Sequence, residues 1–476
     1  MENWFSIVPF VVAVIVAMAT RQVLVGLALG LLIGSYSLNP GLYTAIAKMS
    51  NYLFTAIANK ENLRIIIFLF VFGGLVGMMH VAGGIKGFSK VVQKRIKTER
   101  SALIVTWATI LVTFMDCEFR IMTTGPVMKA IKTNVDIVRS KLAYTIDVST
   151  VPIIVLMPVA TTYAGYMVSV VGGAVNQADI NRTPYQLFLT SIPFNFWAIT
   201  IVIIGLFSVL TGRYIGKGIK TNNNQENLKR NNVDEEEVHR ESIEAELENV
   251  QPKALNLVLP LLLLLITTFY LIGKDGFRKG ANTVLKAFQQ ADATQAMLIA
   301  LFLTVIFSSI LFLLRKGKLS ELMFHFVDGG NQLMMAIILL VLVWALADMA
   351  DDLGFSQFIT GTAGTVIPKS FVPVSVFLFG SVIAYFIGSS WGTWGLLMPL
   401  AISLADATGA SFPMTIGAVF AAGSFGDFTS PLGETTVTTA SVFDLPVVDY
   451  AKAKFASSIL AVGISTVLFI IAGLFF

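Results

Sequence analysis

Four short stretches of this chain set carboxylates and hydroxyls into otherwise apolar sequence. Asp116, Glu118 and Arg120 fall in FMDCEFRIMTTGP at 114–126, and Asp147, Ser149 and Thr150 come just before Pro152. Ser389, Ser390 and Thr393 fall in GSSWGTWG at 388–395, and Asp427, Thr429, Ser430, Glu434 and Thr435 flank Pro431. A charged side chain inside a membrane span costs about 2.5–3.5 kcal/mol on insertion scales, so such groups face a cavity or a partner. An alkali cation needs several oxygens to replace its water shell. Carboxylates, hydroxyls and carbonyls freed where Pro or Gly interrupts a helix supply them. Burial also disfavours the charged form of a carboxylate, which then accepts either a proton or a cation. One site loaded by either is enough for exchange. Asp427, then Asp147 and Asp116, are the carboxylates expected to hold a Na+ ion or a proton, with the neighbouring hydroxyls as ligands. Asp427 and Asp147 can also cap the helix starts that follow a break. Glu118 and Arg120 are expected to pair with each other and position their segment.

The elements that must position these groups are membrane helices. Of 476 residues, 55% are apolar and only 13% charged, against roughly a quarter charged in soluble domains. A soluble enzyme, a secreted disulfide scaffold and a nucleic-acid binder are excluded. The single Cys117 allows no intrachain disulfide and no Cys-based metal centre, and His80, His239 and His325 are scattered. No phosphate-binding loop is present to support ATP-driven transport, and no cofactor is expected. The apolar run 4–20 lacks a basic flank and a cleavage site, so it is expected to be a helix rather than a cleaved leader.

Runs long enough for a ~30 Å hydrocarbon core predict crossings near 4–20, 22–38, 63–83, 142–171, 188–211, 254–273, 294–314, 330–350, 411–443 and 453–475. The stretches 101–130 and 371–405 are interrupted in their middles and predict re-entrant hairpins. Lys86, Lys90, Lys94, Arg95, Lys97 and Arg100 precede the first, and Lys129, Lys132, Arg139 and Lys141 follow it. Basic flanks on both sides place both ends of that hairpin in the cytoplasm. Neither flank of the second is basic, so it opens outward, and both termini face outside. The basic stretch 85–100 suits either a helix on anionic lipid or an ordinary cytoplasmic loop.

The expected architecture is an all-α polytopic membrane protein with about ten transmembrane helices and two re-entrant hairpins, arranged as two inverted repeats. N-terminal helices occupy 1–62, a first repeat core 63–212, a polar cytoplasmic linker 213–253 with a short helix at 234–249, connecting helices 254–329, and a second core 330–476. At one offset Leu75-Val76 matches Leu342-Val343 and Gly87-Phe88-Ser89 matches Gly354-Phe355-Ser356. The two interrupted stretches follow in the same order, and then Asp147-Val-Ser-Thr-Val-Pro152 answers Asp427-Phe-Thr-Ser-Pro431. An odd number of crossings between the copies inverts the second, a recurrent design of secondary transporters.

At these residues the chain resembles the NhaC-type Na+/H+ antiporter family. The resemblance is carried by Ala19-Thr-Arg-Gln-Val23, Met115-Asp116, Lys141-Leu-Ala-Tyr-Thr-Ile-Asp147, Gly388-Ser-Ser-Trp-Gly-Thr-Trp-Gly395 and Phe425-Gly-Asp-Phe-Thr-Ser-Pro431 with Glu434-Thr-Thr436. It implies exchange of Na+, with Li+ as the next cation, for H+ across the cytoplasmic membrane of a prokaryote. The implied partners are Na+, H+ and membrane lipid, and a homodimer stays open. This chain differs from the family pattern in having Cys117 for an Asp, Phe428 for a His and Glu434 for an Asp. Relatives of the family exchange organic acids and amino acids, and Arg120 would suit such an anion, so a coupled carrier of a small organic acid or amino acid is the alternative.

Overall fold

The computed structural model describes residues 4–84, 87, 96–131, 137–175, 182–216, 253–315, 317–362 and 367–475. The expected 234–249 helix, His239 and the basic residues Lys86, Lys90, Lys94, Arg95 and Lys132 lie outside the described residues. Among the described residues every regular element is a helix. Six helices are long and apolar enough to cross a membrane: Lys60–Val81, Leu255–Arg278, Ala293–Leu314, Met334–Asp352, Lys369–Ile387 and Val447–Phe475. Two bent pairs raise the number to eight: Val23–Leu38 with Leu42–Ala58 at 118°, and Pro184–Phe194 with Phe196–Thr211 at 46°. The molecule is a polytopic, all-helical membrane protein.

Two of the expected crossings are broken in their interiors. The first runs Arg139–Val148, then Val151–Ile154, then past Pro158 to Thr162–Val175. The second runs Phe412–Thr429, a Ser-Pro-Leu-Gly turn, then Glu434–Val442. Proline cannot donate to the helical ladder, which explains why these spans stop where they do. Both interrupted stretches break into two limbs that pack on each other, Glu99–Ala108 with Cys117–Ile131, and Val372–Ile387 with Ser390–Thr408; these limb pairs are the hairpins below, although Lys369–Ile387 is long enough to cross a membrane by itself. The helix that follows each break packs on the second limb of the other half's hairpin. Thr162–Val175 lies on Ser390–Thr408, and Glu434–Val442 lies on Cys117–Ile131.

Two helices of fourteen residues or more escaped the hydropathy reading, Leu42–Ala58 and Leu319–Gln332. Lys48, Ser50 and Asn51 in one, and Glu321, His325 and Asp328 in the other, dilute the apolar signal of what are amphipathic helices. The boundary at 329/330 falls inside Leu319–Gln332, and that at 62/63 inside Lys60–Val81. At the start of the linker, Tyr214 is buried against Tyr144 with ring centres 5.8 Å apart.

Lys60–Val81 and Leu319–Gln332 cross with their backbones in close contact at Gly73 and Gly77 on one and Gly329 on the other. A Cβ on Gly77 would run into the His325 carbonyl oxygen. Overpacking of this kind costs about 1–3 kcal/mol. Gly77→Leu is expected to lower the thermal unfolding midpoint in detergent accordingly. Gly463→Leu, at a position with nothing within 4 Å, is expected to leave it unchanged.

Candidate functional site

Asp427 lies in the last turn of the Phe412–Thr429 helix, at the second break, and is 1% exposed. Its Oδ1 accepts from the Thr435 backbone N–H at 3.2 Å and from the Thr435 hydroxyl at 3.1 Å. Its Oδ2 accepts from the Ser390 hydroxyl at 3.1 Å and the Tyr163 hydroxyl at 3.4 Å. Asp427 therefore does cap the Glu434–Val442 helix, and it also ties that helix to the tip of the second hairpin. One residue away on the same tip, Ser389 donates to Glu434 Oε1 at 3.1 Å. Asp116 has the matching place at the break of the first hairpin. Its Oδ1 accepts from the Phe119 N–H at 3.0 Å and its Oδ2 from the Thr162 hydroxyl at 2.9 Å.

Beside these groups lies a cavity of about 230 Å³. Asp116, Glu118 and Glu434 line it, together with Cys117, Thr162, Tyr163, Trp391 and Thr435. Gly73, Val76, Gly329, Gln332, Leu333, Met335, Ala336 and Leu339 complete the wall, so among the described residues no Lys, Arg or His lines it. A single water needs only about 10–15 Å³ of such space, so the cavity has room for several. It fits a cation that keeps part of its water shell. A pocket lined by charge of one sign between low-dielectric walls concentrates the opposite sign. Asp427 meets the chamber through Tyr163 and Thr435. The aromatic side is rigid: Tyr163 stands edge-on to Trp391 and Trp394 at 4.8 and 5.0 Å, and the Tyr166 hydroxyl donates to the Trp391 carbonyl at 2.7 Å. Among the described residues no three of His, Cys, Asp and Glu are grouped so as to hold a metal ion by themselves. A cation here must draw on hydroxyls, carbonyls and water as well.

The other expected site residues go elsewhere. Glu118 and Arg120 do not pair. Residues two apart on a helix point to different sides, and Glu118 faces the chamber while Arg120 is fully buried behind it. The guanidinium donates through Nε to Thr150 at 3.0 Å, and through Nη1 to the Thr109 and Thr113 hydroxyls at 3.0 and 2.8 Å. Its Nη2 reaches the Thr106 carbonyl at 3.0 Å and the Ser149 hydroxyl at 2.7 Å. Ser149 and Thr150 thus serve Arg120. Asp147 does not join Asp116 and Asp427 either. It forms a fully buried ion pair with Lys454 and accepts from the Tyr450 hydroxyl at 2.8 Å and the Thr439 hydroxyl at 3.0 Å. Thr429 bonds to Ser458, Ser430 accepts from the Leu432 N–H at 3.0 Å, and the Thr393 hydroxyl is buried without a hydrogen-bond partner among the described residues.

Lys454 is the functional-looking residue that sequence reading missed. Beside Lys452 at the edge of an apolar run it passes for an interface lysine. The available signal was helical period, because Lys454 shares its buried face with Tyr450, Ser457, Ser458 and Ala461.

Arg120→Gln keeps a polar group but shortens the side chain and strands several of these acceptors. It is expected to destabilise the protein by about 2 kcal/mol, the scale of a lost hydrogen bond to a charged group. Thermal unfolding in detergent reads this, and the charge lining the chamber stays the same.

Comparison with known proteins agrees with this architecture. The model of the Na+/H+ antiporter family matches residues 153–474. An uncharacterized protein of Haemophilus influenzae is 28% identical over 453 residues, covering 92% of this chain and 84% of that one. The Na(+)/H(+) antiporter NhaC of Bacillus subtilis is 29% identical over 147 residues, 31% of this chain and 32% of its own length. Among solved structures, the YdaH transporter of Alcanivorax borkumensis superposes with a TM-score of 0.59 over 90% of this chain and 88% of that one. At 11% identity that likeness concerns the fold alone.

Proposed function

The chain belongs to the Na+/H+ antiporter family and is a secondary antiporter, and from that premise we propose that it exchanges Na+ for H+ at the acidic chamber. The observation that carries the reading is the convergence of Asp116, Glu118 and Glu434 on one cavity that has no basic lining residue among the described residues, with Asp427 one contact behind. Glu118 and Glu434, both exposed to the chamber, meet an entering cation first. Asp116, half-buried, takes it deeper, with Thr162, Thr435 and freed carbonyls completing the shell. Proton and cation compete for the same carboxylate oxygens, so they are not aboard together, and that competition couples the two fluxes.

Occupancy is transmitted through the hairpin tip. Ser389 and Ser390 hold Glu434 and Asp427, so a change in what those carboxylates bind alters the contacts that fix the second hairpin. A ligand shifts a conformational equilibrium only as far as its affinities for the two states differ, and here the differing contacts are these hydroxyl–carboxylate bonds. The exchange of partners between breaks and hairpins supports two inverted repeats that move against each other as the chamber opens to either side. The same reading puts the protein in the cytoplasmic membrane of a prokaryote. The outward apolar faces of Ala293–Leu314 and Val447–Phe475, with Ile306, Ile310 and Val467 among their exposed residues, meet lipid or a second copy there. The organic-anion alternative finds no support at the chamber, because every nitrogen of the Arg120 guanidinium is engaged elsewhere.

The test is a pH-sensitive dye in proteoliposomes under an imposed pH gradient with the membrane potential clamped. Na+ or Li+, and not choline, is expected to collapse the gradient. Asp427→Asn is expected to abolish the response while the protein still inserts. Full activity of Asp427→Asn, or no response to any alkali cation from inserted protein, would overturn the reading. Glu118→Gln is expected to keep turnover but raise the Na+ concentration for half-maximal response by roughly tenfold, equivalent to ~1.4 kcal/mol.

A further inference from the structure

The exchange described above leaves the Asp147–Lys454 pair unused, although both side chains are wholly shielded from solvent. Lys454 reaches it from the Val447–Phe475 helix and Asp147 from Arg139–Val148, so the pair joins the two halves of the chain. The ammonium also donates to the Thr436 hydroxyl at 2.9 Å, and it lies 4.6 Å from the ring centres of both Phe428 and Tyr450. Asp147 accepts in addition from Thr439 and Tyr450. A carboxylate, nearby hydroxyls and two aromatic faces are the oxygen and π donors by which a protein holds a bare cation. The place is also specific. Phe428 follows Asp427 in sequence and Thr436 follows Thr435, so the ammonium sits one residue beyond the Asp427 site on both sides of the second break. In the order of matched motifs, Asp147 is the counterpart of Asp427.

Taking two charges out of water costs several kcal/mol per ion, and an apolar pair of the same volume is often no less stable. Stability alone therefore does not account for this pair. We infer that Lys454 is a built-in cation seated in a second cation site, made by Asp147, Thr436, Thr439 and Tyr450, and that removing its ammonium opens this site to Na+. The choice of Na+ rests on the exchange reading, and the rest stands on the pair itself. The chain then binds one cation fewer than its carboxylates would allow, with the lysine filling the place of the other.

The experiment counts bound ²²Na+ per polypeptide at equilibrium on the purified full-length protein in detergent. Lys454→Gln removes the charge and leaves an amide carbonyl that can serve as a ligand. It is expected to bind one Na+ more than the wild type. Asp147→Asn/Lys454→Gln, neutral at both positions, is expected to return to the wild-type count. An unchanged count in Lys454→Gln, or an extra ion that survives Asp147→Asn, would overturn the inference. If Lys454→Gln folds poorly, its unfolding midpoint in Na+ against choline becomes the readout. Selective rescue by Na+ supports the second site, and equal instability in both salts refutes it. A wild type that binds no Na+ counts against the exchange reading instead, while the difference between variant and wild type still judges this one.

Discussion

In the hydrocarbon core of a membrane an unpaired peptide group costs several kcal/mol, because no water is there to satisfy it. This chain nevertheless interrupts helices there repeatedly, and each interruption finds its partners within the protein. The Thr162 N–H donates to the Met115 carbonyl at 3.0 Å, so the break in one span is closed by the break in a hairpin. The Asp427 carbonyl accepts from the Thr436 hydroxyl at 2.9 Å, and the Asp427 side chain takes the Thr435 N–H. Two of the groups that make the breaks tolerable, Thr162 and Thr435, also line the chamber. Site and scaffold therefore share hydrogen bonds.

Charge is distributed with the same economy. Among the described residues the carboxylates that face the chamber have no Lys, Arg or His partner there, and on the proposed reading a mobile cation or proton balances them. Asp147 carries its counter-ion permanently. Arg120 is the opposite case, a buried cation whose charge is spread over four hydroxyls and one carbonyl. It braces the first hairpin against the residues after Asp147, much as Ser389 and Ser390 brace the second against Asp427 and Glu434. The hairpins differ in chemistry and agree in what they hold.

Much of this was legible before any coordinates. A Pro, a Gly or a carboxylate in the middle of an apolar run is conspicuous, so both hairpin tips, the break at Pro431 and the candidates Asp116, Asp427 and Glu434 could be read directly. Partnerships were harder to read. Glu118 and Arg120 look like a pair in a string of letters and diverge on a helix. Ser149 and Thr150 look like cation ligands until the guanidinium that uses them is seen. Leu319–Gln332, which gives Gly329 and Gln332 to the chamber wall, was hidden because an amphipathic helix packed on one side carries too many polar residues for a hydropathy window. Lys454 was hidden by its position at the end of a span, where lysines commonly reach the interface.

The crossing of Lys60–Val81 and Leu319–Gln332 has a mechanical side. Where two helices interlock through side chains, sliding one along the other forces each knob over the next ridge. At Gly73, Gly77 and Gly329 there are no knobs, and the surfaces meet backbone to backbone. Such a contact resists being pulled apart, because separation loses close-packed dispersion along its length. Side chains interlock immediately beside them, the Phe326 ring over Gly74 and the Phe70 ring over Gly330, so sliding is opposed as well as separation. Since Gly73 and Gly329 also form part of the chamber wall, that wall is pinned in one register along this seam.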